Sequence, residues 1–578
     1  MRPVAKAPGP AKASEMVYDP SRFKDYFEHD FTYDAGFRRN VGRFGRQPAI
    51  VDPASGREWS YAELDADVNK VASALAGLGV GEGSRVAYQL FNSVEFAQLY
   101  LATQRLGAIG VPMNYRLASG ETALILRDSE PVVFIFDVTV AGAALAAVEA
   151  AGSSAVVLSV GGADDAGLPE KVRPLADVVA AAPDGPVQRQ GRASTYEETT
   201  RLYTSGTTGR PKGVSLPSIV EVMSAHDVIM HFPLTPADRT LNMTPWFHRG
   251  GLYSGGPNPL FYVGGSVVPM RNFDPGTVLD WVGRYGLTFL IGAPVTLAML
   301  ADEQEKNPRD LSGLRGIVTM GAPLERAAVL RYQSLLTPRI FNGYGTTEAF
   351  WNTFLRPEDL PKHAGTAGRA CTDDDVALVK FHPDKLAEPA DLAARDNAEL
   401  GEIIMRSPKS GFSYANLPDV NEEKFVQGWL YSGDLGVWDD DGFVTIVGRK
   451  DDMIISGGEN VHPVQVEEAI NAHPGVKDSV VVGLPDDHWG RLIVAYVVRR
   501  DQNLTADQLD RHCLADPGLS DFKRPRAYRF VDALPLTATG KKIHYQLAEQ
   551  AVTDHAAGLL EVPAPHGAHP DSGIRARQ

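Results

Sequence analysis

The segment YTSGTTGRPKGV occupies residues 203–214 and carries the strongest chemical pattern in the sequence. Its glycines let backbone N–H groups approach an anion closely, and its hydroxyl groups add further donors. Lys212 brings a positive charge to phosphate oxygens, and Arg210 lies nearby in the sequence. The other residues that we expect to line a triphosphate are Thr204, Ser205, Gly206, Thr207 and Thr208.

The order of the residues distinguishes this loop from two similar patterns. A generic Ser/Thr/Gly segment is more often a surface hairpin, but so specific a run of residues favours phosphate binding. It is not the P-loop G-x-x-x-x-G-K-S/T, because here the lysine precedes its glycine. The weaker glycine pattern GVGEGS at 79–84 follows a helix rather than a strand, so we assign it to a turn.

Strand-like and helix-like segments alternate on the N-terminal side of the loop. Strands are predicted at 85–92 and 132–137, with helices around 94–108 and 121–130 between them. This alternation predicts an α/β fold in which parallel-rich sheets are packed with helices on both faces. Residues 161–199 lack periodicity and are predicted to form an irregular connection.

Two capping boxes predict the beginnings of helices. Ser60 and Glu63 precede an apolar pattern at helical spacing, and Thr505 and Gln508 form a similar pair. The second pair lies in a shorter α+β pattern that follows the polar, glycine-rich stretch at 449–460.

These patterns predict two domains between two tails. We expect a large N-terminal domain at 17–450 and a small C-terminal domain at 451–555. The ends, 1–16 and 556–578, are rich in Pro, Gly, Ala and charge and are predicted to be flexible tails.

The composition argues against several classes of protein. A net charge of -16 is unlike that of a nucleic-acid-binding protein, which would show a basic face. Cys371 and Cys513 are too few for a disulfide framework and lack metal-ligand spacing. No stretch approaches the ~18 apolar residues of a membrane helix, and residues 1–16 lack the apolar run of a secretory signal. We therefore expect a cytoplasmic protein with no membrane or nucleic-acid partner.

Six further motifs follow the loop. They are TPWFHRGG at 244–251, MGAPL at 320–324, NGYGTTE at 342–348, YSGDLG at 431–436, GRKDDMIISGGENVHP at 448–463 and PLTATGKK at 535–542. With the loop, they resemble in order the motifs of the adenylate-forming superfamily: acyl- and aryl-CoA synthetases, peptide-synthetase adenylation domains and beetle luciferases. The resemblance covers roughly residues 45–548. It implies a large domain with a barrel-like subdomain, a small mobile C-terminal domain and, at the level of the family, a homodimer.

The resemblance also implies a nucleotide site whose residues suit ATP. The Tyr344 ring can stack on a purine, and Glu348 is an oxygen ligand suited to Mg²⁺. Asp434 can accept both ribose hydroxyls, and Arg449 matches an arginine that contacts the ribose. The remaining expected nucleotide contacts are Gly321, Ala322, Pro323, Gly345, Thr346 and Thr347.

The implied reaction has two halves. ATP and Mg²⁺ convert a small-molecule carboxylic acid to acyl-AMP and pyrophosphate, and a thiol then releases AMP. The expected catalytic residues are Lys541, His248 and Glu348, because a lysine at the α-phosphate offsets developing charge. Lys542 is the competing assignment, and the Gly-Lys spacing favours Lys541. Asp451 matches the hinge about which the small domain rotates.

The resemblance favours coenzyme A as the acceptor. The GGEN form resembles that of stand-alone CoA ligases, and the short sequence after Lys541 leaves no carrier-protein domain. Two alternatives stay open: transfer to a carrier protein or an amine, and a non-catalytic nucleotide- or acyl-binding protein. The residues expected to line the channel for coenzyme A are Ser456, Gly457, Gly458 and Glu459.

Aromatic residues in and near two of the motifs bear on the class of acid. A compact aromatic wall suits an aromatic or short branched acid, although aromatic residues in such motifs are often core packing. We expect Arg249 to turn outward to phosphate or solvent; the alternative is that it meets a polar group on the acid. Where many family members have a Gly-Tyr pair, residues 411–416 read GFSYAN, which predicts a local difference. The expected pocket residues are Trp246, Phe247, His248, Phe350 and Trp351.

Overall fold

The computed structural model describes most of the chain. The described residues are 19–161, 167–187, 189–205, 211–382, 385–457, 459–486, 489–516, 519–537 and 541–564. Within these ranges, none of the helices combines the length and the apolar character needed to cross a membrane.

The first helices lead into a short strand pair. These elements are α1 (Pro20–His29), α2 (Tyr33–Phe44), β1 (Pro48–Asp52), β2 (Arg57–Ser60) and α3 (Tyr61–Gly77). Helix α3 begins with the predicted capping box, in which the Ser60 and Glu63 side chains each accept from the other's backbone N–H. Its apolar residues at helical spacing are buried, as the sequence predicts.

A seven-stranded sheet contains the phosphate-loop segment at its edge. Its strand order is β7-β6-β5-β3-β4-β8-β9, parallel except for the antiparallel pair β8–β9. The elements are β3 (Arg85–Gln89), α4 (Val94–Leu106), β4 (Ile109–Pro112), α5 (Ser119–Ser129), β5 (Val133–Asp137), α6 (Ala141–Ala151), β6 (Val156–Val160), β7 (Arg173–Pro174), α7 (Leu175–Ala180), β8 (Glu198–Ser205), β9 (Pro211–Pro217) and α8 (Ser218–His231).

The predicted strand–helix alternation is confirmed, but one connection is more ordered than predicted. Residues 161–199 include β7, α7 and the start of β8. Leu175 of α7 is buried, and Val178 and Val179 pack against the same core, which a segment without helical periodicity would not achieve. The prediction missed α7 because the helix is shorter than the window needed to detect periodicity.

A nine-stranded sheet contains the start of the MGAPL motif and most of the NGYGTTE motif. Its order is β16-β15-β14-β13-β12-β10-β11-β1-β2, with parallel pairing from β1 to β14 and antiparallel strands at both edges. The elements are β10 (Arg239–Asn242), α9 (Arg249–Tyr253), α10 (Pro257–Val263), β11 (Ser266–Val267), α11 (Pro275–Tyr285), β12 (Phe289–Gly292), α12 (Pro294–Lys306), β13 (Gly316–Met320), α13 (Arg326–Leu335), β14 (Ile340–Thr346), β15 (Phe350–Leu355) and β16 (Arg369–Ala370). Because β13 and β14 are parallel neighbours, MGAPL and NGYGTTE both lie at the carboxyl ends of the strands.

A five-stranded antiparallel sheet forms the predicted barrel-like subdomain. It contains β17 (Asp375–Lys380), β18 (Gly401–Arg406), α14 (Pro418–Lys424), β19 (Phe425–Val426), β20 (Trp429–Trp438) and β21 (Val444–Arg449). The register of β20 against β21 pairs Asp434 with Arg449. Two motifs that are distant in sequence therefore meet.

The C-terminal region has its own apolar cores, composed of residues from 454 onward. A β-hairpin precedes a three-stranded sheet covered by helices. The elements are β22 (Ile454–Ser456), β23 (Glu459–Val461), α15 (Pro463–Asn471), β24 (Val476–Asp486), β25 (Gly490–Arg499), α16 (Ala506–Ala515), β26 (Ala527–Val531) and α17 (His544–Ala556). The capping box of Thr505 and Gln508 is confirmed at α16.

The predicted tail at 556–578 starts too early. Glu561 exchanges backbone hydrogen bonds of 2.8 and 2.7 Å with Tyr528 of β26. The Ala564 N–H also donates to Asp507 at 2.7 Å. Backbone pairing with the sheet edge therefore continues past residue 556.

Candidate active site

The predicted phosphate loop connects two paired strands. The register of β8 and β9 sets Thr204 opposite Lys212. A Cβ on Gly213 would lie only 3.0–3.1 Å from the Arg201 and Tyr203 side chains, so a glycine fits this close packing. Gly206, Thr207 and Thr208, together with the Ser205 side chain, lie outside the described residues.

Tyr414 joins this loop to the carboxylate predicted to bind Mg²⁺. The Lys212 ammonium lies 5.6 Å from the centroid of the Tyr414 ring. The Tyr414 hydroxyl donates to Oε1 of Glu348 at 2.7 Å. Burial raises the pKa of Tyr414, with the Glu348 charge adding to the shift, so the hydroxyl remains protonated and a donor. The sequence did not single out Tyr414, and its only signal was the unusual GFSYAN segment.

Glu348 and its neighbours lie at the tip of a tight hairpin. Strands β14 and β15 pair antiparallel, with Gly345 opposite Trp351. A Cβ on Gly345 would lie 1.6 Å from the Phe350 carbonyl oxygen, so only glycine fits there. Thr346 ends β14 opposite Phe350, and the turn consists of Thr347, Glu348 and Ala349. Phe350 has a φ of 64° in the left-handed region.

The half-buried Glu348 carboxylate has the chemistry of a magnesium ligand. One oxygen accepts from Tyr414, and among the described residues no hydrogen bond engages the other. Carboxylate and phosphate oxygens are the ligands that Mg²⁺ prefers. These residues therefore fit the cation that the sequence predicts.

Tyr344, predicted to stack on the purine, meets the two residues predicted to contact the ribose. The Tyr344 hydroxyl donates to Oδ2 of Asp434 at 2.7 Å, and the Arg449 guanidinium donates to Oδ1 at 3.0 Å. Burial raises the pKa of Tyr344, and the Asp434 charge adds to this effect, so Tyr344 stays a donor. The carboxylate is thus held in one orientation by a neutral and a charged group.

The MGAPL segment brings the two domains together. Gly321 follows β13 with a φ of 89°, a left-handed conformation that favours glycine, and Ala322 and Pro323 continue the turn. A Cβ on Gly321 would lie 4.0 Å from Cε of Lys541. The lysine from the C-terminal region therefore reaches the nucleotide side of the large domain.

Only one of the two adjacent lysines points into this cleft. Lys542 forms ion pairs of 3.0 Å with Glu467 and 2.9 Å with Asp478 inside its own domain. Lys541 remains accessible to solvent, although protein surrounds its side chain in the cleft. This enclosure lowers the pKa of Lys541 and Arg449 adds to the shift, whereas Asp434 and Glu348 oppose it. Lys541 therefore interacts electrostatically with both predicted ligand-binding carboxylates.

His248 is a neutral group beside this lysine. Burial lowers the pKa of His248 to about 3, and the Lys541 and Arg116 charges contribute. Its Nε2 is buried and has no hydrogen-bond partner among the described residues. A neutral imidazole can line a pocket or accept a hydrogen bond, but it is not a proton carrier near neutral pH.

The predicted acyl-pocket aromatics fall into two groups. Trp246 packs edge-on against Phe96 with ring centroids 5.7 Å apart, and Phe247 contacts Tyr115 at 5.4 Å. Phe350 and Trp351 stack on each other at 4.7 Å, and the Trp351 indole N–H donates to Asp227. All four predicted rings are buried in one core cluster, but within the described residues no ring contact joins the two groups.

The prediction that Arg249 turns outward is wrong. Arg249 is 4% exposed and donates to the carbonyl oxygens of Thr347 at 2.5 Å and Lys409 at 2.6 Å. Burial lowers the pKa of Arg249 to about 10, which leaves it charged at neutral pH. Arginine is rarely buried, but here the two terminal nitrogens of the guanidinium bond to two backbone carbonyls and to the Ser224 hydroxyl.

The predicted hinge follows the ribose site directly. Asp451 is exposed, and its carboxylate lies 3.8 Å from the Arg449 guanidinium. The neighbouring Lys450 ammonium lies 3.6 Å from Glu402 of β18. The chain therefore leaves the barrel-like sheet at a segment that contacts the ribose-binding residues.

The predicted coenzyme A channel coincides with the hairpin of β22 and β23. Ser456 pairs with Glu459 across the turn, and Gly458 lies outside the described residues. Gly457 has a φ of 60°, and a Cβ there would lie 3.0 Å from the Trp489 ring. The Gly457 N–H donates to the Trp489 carbonyl at 2.8 Å. No sequence pattern pointed to Trp489, which is distant in the chain.

Comparisons with known proteins agree with this geometry. Residues 37–414 match the family model described as AMP-binding enzyme, and residues 465–541 match the AMP-binding enzyme C-terminal domain. The chain is similar to the long-chain-fatty-acid–CoA ligase FadD13 of Mycobacterium tuberculosis, with 33% identity over 508 residues, 87% of this chain and 95% of that protein.

Two further relatives differ in the acid or the acceptor that their names give. A fatty acid–acyl-carrier-protein ligase, ScoC of Streptomyces coeruleorubidus, is 30% identical over 522 residues, 88% of this chain and 94% of that protein. The solved structure of the anthranilate CoA ligase AuaEII in complex with anthranoyl-AMP superposes with a TM-score of 0.81 and 26% identity, covering 91% of this chain and 98% of that one.

Proposed function

This chain belongs to the AMP-binding enzyme family, and we propose that it joins a carboxylic acid to coenzyme A through an acyl-AMP intermediate. It is an AMP-forming ligase of the acid–thiol class. The observation that carries the proposal is that Lys541 enters the cleft beside Gly321, within electrostatic reach of Asp434 and Glu348. This arrangement suits the first half-reaction.

In the first half-reaction, a carboxylate oxygen attacks the α-phosphorus of ATP. The acyl–phosphate bond forms, the bond to the β-phosphate oxygen breaks, and pyrophosphate leaves. The Lys541 ammonium offsets the negative charge that accumulates around the α-phosphate. The Tyr344, Asp434 and Arg449 group supports ribose binding, because its bonds orient the carboxylate before the nucleotide arrives.

Glu348 and the ATP phosphate oxygens would hold Mg²⁺, which neutralises charge on the departing pyrophosphate. Lys212 would add a second positive charge on the phosphate side, since it lies over the ring of Tyr414, which bonds to Glu348. Thr204, opposite Lys212 in the hairpin, would offer a hydroxyl donor to the same phosphates.

In the second half-reaction, the thiol of coenzyme A attacks the acyl carbonyl. The carbon–sulfur bond forms, the bond to the phosphate oxygen breaks, AMP leaves, and the thiol proton is released. We place the hinge for the intervening domain rotation at Asp451 and the pantetheine channel at Ser456, Gly457 and Glu459. The support for the channel is that Gly457 has no side chain to fill the space next to the Trp489 ring.

The two half-reactions can be measured separately. Exchange of pyrophosphate into ATP with an acid reports acyl-AMP formation, and release of AMP that requires coenzyme A reports transfer. We expect both activities with the wild-type chain. If AMP release required a carrier protein instead, the acceptor would be the kind that the name of ScoC describes. If no acid supported exchange, the ligase function itself would be contradicted.

For the acid, we propose an aromatic or short branched compound. Phe350, whose ring centroid lies 5.4 Å from the Arg249 guanidinium, and Trp351 are large, buried and stacked rings. An acyl pocket walled by such rings would leave little room for a long flexible chain. A screen of aromatic, short, medium, long and hydroxylated acids tests this, with kcat/KM as the measure. The highest kcat/KM with a long-chain fatty acid, the acid class in the name of FadD13, would contradict the proposal.

A further inference from the structure

Arg249 is a buried cation whose partners are neutral. In the described part of the chain, it forms no ion pair with a carboxylate, and its donors go to backbone carbonyls and to the Ser224 hydroxyl at 3.3 Å. A charge removed from water is costly unless it is well bonded. The two carbonyls that accept from Arg249 therefore indicate which parts of the chain this buried charge holds.

The two carbonyls belong to the two segments that meet at Glu348. Thr347 directly precedes Glu348, and its carbonyl accepts from Nη1 of Arg249 at 2.5 Å. Lys409 lies a few residues before Tyr414, whose hydroxyl donates to Glu348 at 2.7 Å. One guanidinium thus bonds both the chain that carries the carboxylate and the loop that orients it.

Independent contacts make the Lys409 side of this bridge rigid. The Lys409 ammonium is buried between Asp227 at 3.0 Å and Asp374 at 2.7 Å. Its backbone is therefore anchored to α8 and to the start of β17. A carbonyl on such an anchor provides a fixed point from which Arg249 can hold the hairpin.

The hairpin itself requires such a restraint. Phe350 has a φ of 64°, a conformation that is unfavourable for a bulky residue and persists only where surrounding contacts enforce it. The Arg249 guanidinium lies 5.4 Å from the centroid of the Phe350 ring. Arg249 thus contacts the strained turn at both Thr347 and Phe350, on either side of Glu348.

We propose that Arg249 is a positioning residue for acyl-AMP formation, which fixes the Glu348 carboxylate by tying the hairpin to the loop of Tyr414. The proposal rests on the function proposed above and deepens it. Arg249 acts through Thr347 and Lys409 and does not itself contact ATP. Its loss releases Glu348 and so weakens the binding of Mg²⁺ with ATP, but it leaves the thiol-transfer step largely intact.

The test compares Arg249→Met, Arg249→Lys and a matched control, Arg105→Met. Arg105 is also buried, but it pairs with Asp34 at 3.1 Å and Asp65 at 2.8 Å away from the site. We expect Arg249→Met to slow acyl-AMP formation by about 100-fold, as for a misplaced catalytic group. Arg249→Lys should be about tenfold faster than Arg249→Met but still slower than the wild type, since lysine can bond only as a point donor. Transfer from supplied acyl-AMP to coenzyme A should change by less than about threefold.

Equilibrium binding supplies a readout that does not depend on turnover. Isothermal titration calorimetry measures the Kd for ATP with and without Mg²⁺. Mg²⁺ should lower this Kd for the wild type and for Arg105→Met, but much less for Arg249→Met. Tyr414→Phe removes only the hydroxyl bond to Glu348 and should show the same weakened effect of Mg²⁺. It is the second variant to measure if Arg249→Met fails to fold. Equal losses in both half-reactions, or an unchanged effect of Mg²⁺ on ATP binding, would overturn the proposal.

The two proposals fail in different ways. If the wild type made no acyl-AMP from any acid, the proposed function would fail, and the Mg²⁺ effect on ATP binding would still test Arg249. If the wild type were active and the Arg249 variants retained the full Mg²⁺ effect, only the positioning role would fail.

Discussion

Two parts of the site differ in how their functional groups are held. We call the large-domain residues Tyr344, Glu348, Tyr414, Asp434 and Arg449 the wall, and the small-domain segment around Lys541 the loop. On the wall, Asp434 accepts from both Tyr344 and Arg449, and Glu348 accepts from Tyr414. In the loop, Lys541 is held through its backbone, which bonds to Thr537 at 2.7 and 3.0 Å. The wall is therefore organised before ATP binds, whereas the hydrogen bonds of Lys541 within the described residues all stay in its own domain.

This difference matches the two kinds of work that the reaction requires. Groups that bind charge act best when they are already oriented. A lysine that must leave before a thiol can enter acts best when its contacts travel with its domain. The following predictions break one side of the comparison at a time.

The largest effect is expected for Lys541→Ala. Removing this charge from the cleft should slow acyl-AMP formation by about 10²–10³-fold, the usual loss when a preorganised charge at a transition state is deleted. Transfer from supplied acyl-AMP should change by less than about threefold. Pyrophosphate exchange and single-turnover transfer measure the two steps.

The neighbouring Lys542 provides a matched control with a different signature. Lys542→Ala should preserve the ratio of the two half-reactions but lower the free energy of unfolding by about 3 kcal/mol, because the buried Glu467 carboxylate loses its lysine partner and keeps only the bonds from His544 and the Val481 N–H. The ion pair with Lys542 and the bond from His544 lower the pKa of Glu467 to about 2, although burial opposes the shift. A carboxyl group whose pKa is lowered in the folded state stabilises the fold above its unfolded-state pKa. The difference in the free energy of unfolding between the wild type and Lys542→Ala should therefore shrink as the pH falls from about 4 toward 2.

The second-largest effect is expected on the small-domain hairpin. Gly457→Ala forces a side chain onto the Trp489 ring at a φ of 60°. We expect transfer to coenzyme A to slow by on the order of 10²-fold, because the thiol would be displaced from the acyl carbonyl. Acyl-AMP formation should be retained. Rapid-quench measurement of thioester formation tests this. A loss confined to acyl-AMP formation would instead place the hairpin in the first half-reaction.

The sequence predicted the site residues that lie in the motifs more completely than the residues that support them. Tyr344, Glu348 and Asp434 lie in short motifs whose glycines and turns require a particular backbone, so local sequence carries their placement. Trp489 and Tyr414 reach the site through packing between segments distant in the chain, and no spacing rule reports such contacts. Arg249 was misplaced for the same reason, since its acceptors at 347 and 409 are brought to it only by the tertiary fold.

A smaller effect is expected when one bond of the wall is removed. Tyr344→Phe deletes the donor at 2.7 Å from Asp434 but keeps the ring. We expect the KM for ATP to rise about tenfold, which corresponds to one hydrogen bond to a charged group. The kcat for acyl-AMP formation should change less, because Arg449 still orients the carboxylate. An unchanged KM would mean that Tyr344 contributes by stacking alone.

The smallest effect, and the most direct separation of wall from loop, is expected in the pH dependence. Acyl-AMP formation needs the Lys541 ammonium, whose pKa the enclosed cleft lowers, so its rate should be full below that pKa and decline at a lower pH than an ordinary lysine near about 10.4 would give. His248, with a pKa of about 3, stays neutral above pH 5 and should contribute no acidic limb. Thiol transfer should instead rise with pH, because the thiolate is the nucleophile and the thiol of coenzyme A ionises on the alkaline side of neutrality. Stopped-time assays of each half-reaction across pH 5–10 would measure this separation. An acidic limb near pH 6.5 that disappears in His248→Asn would contradict the assignment of His248 as a neutral wall residue.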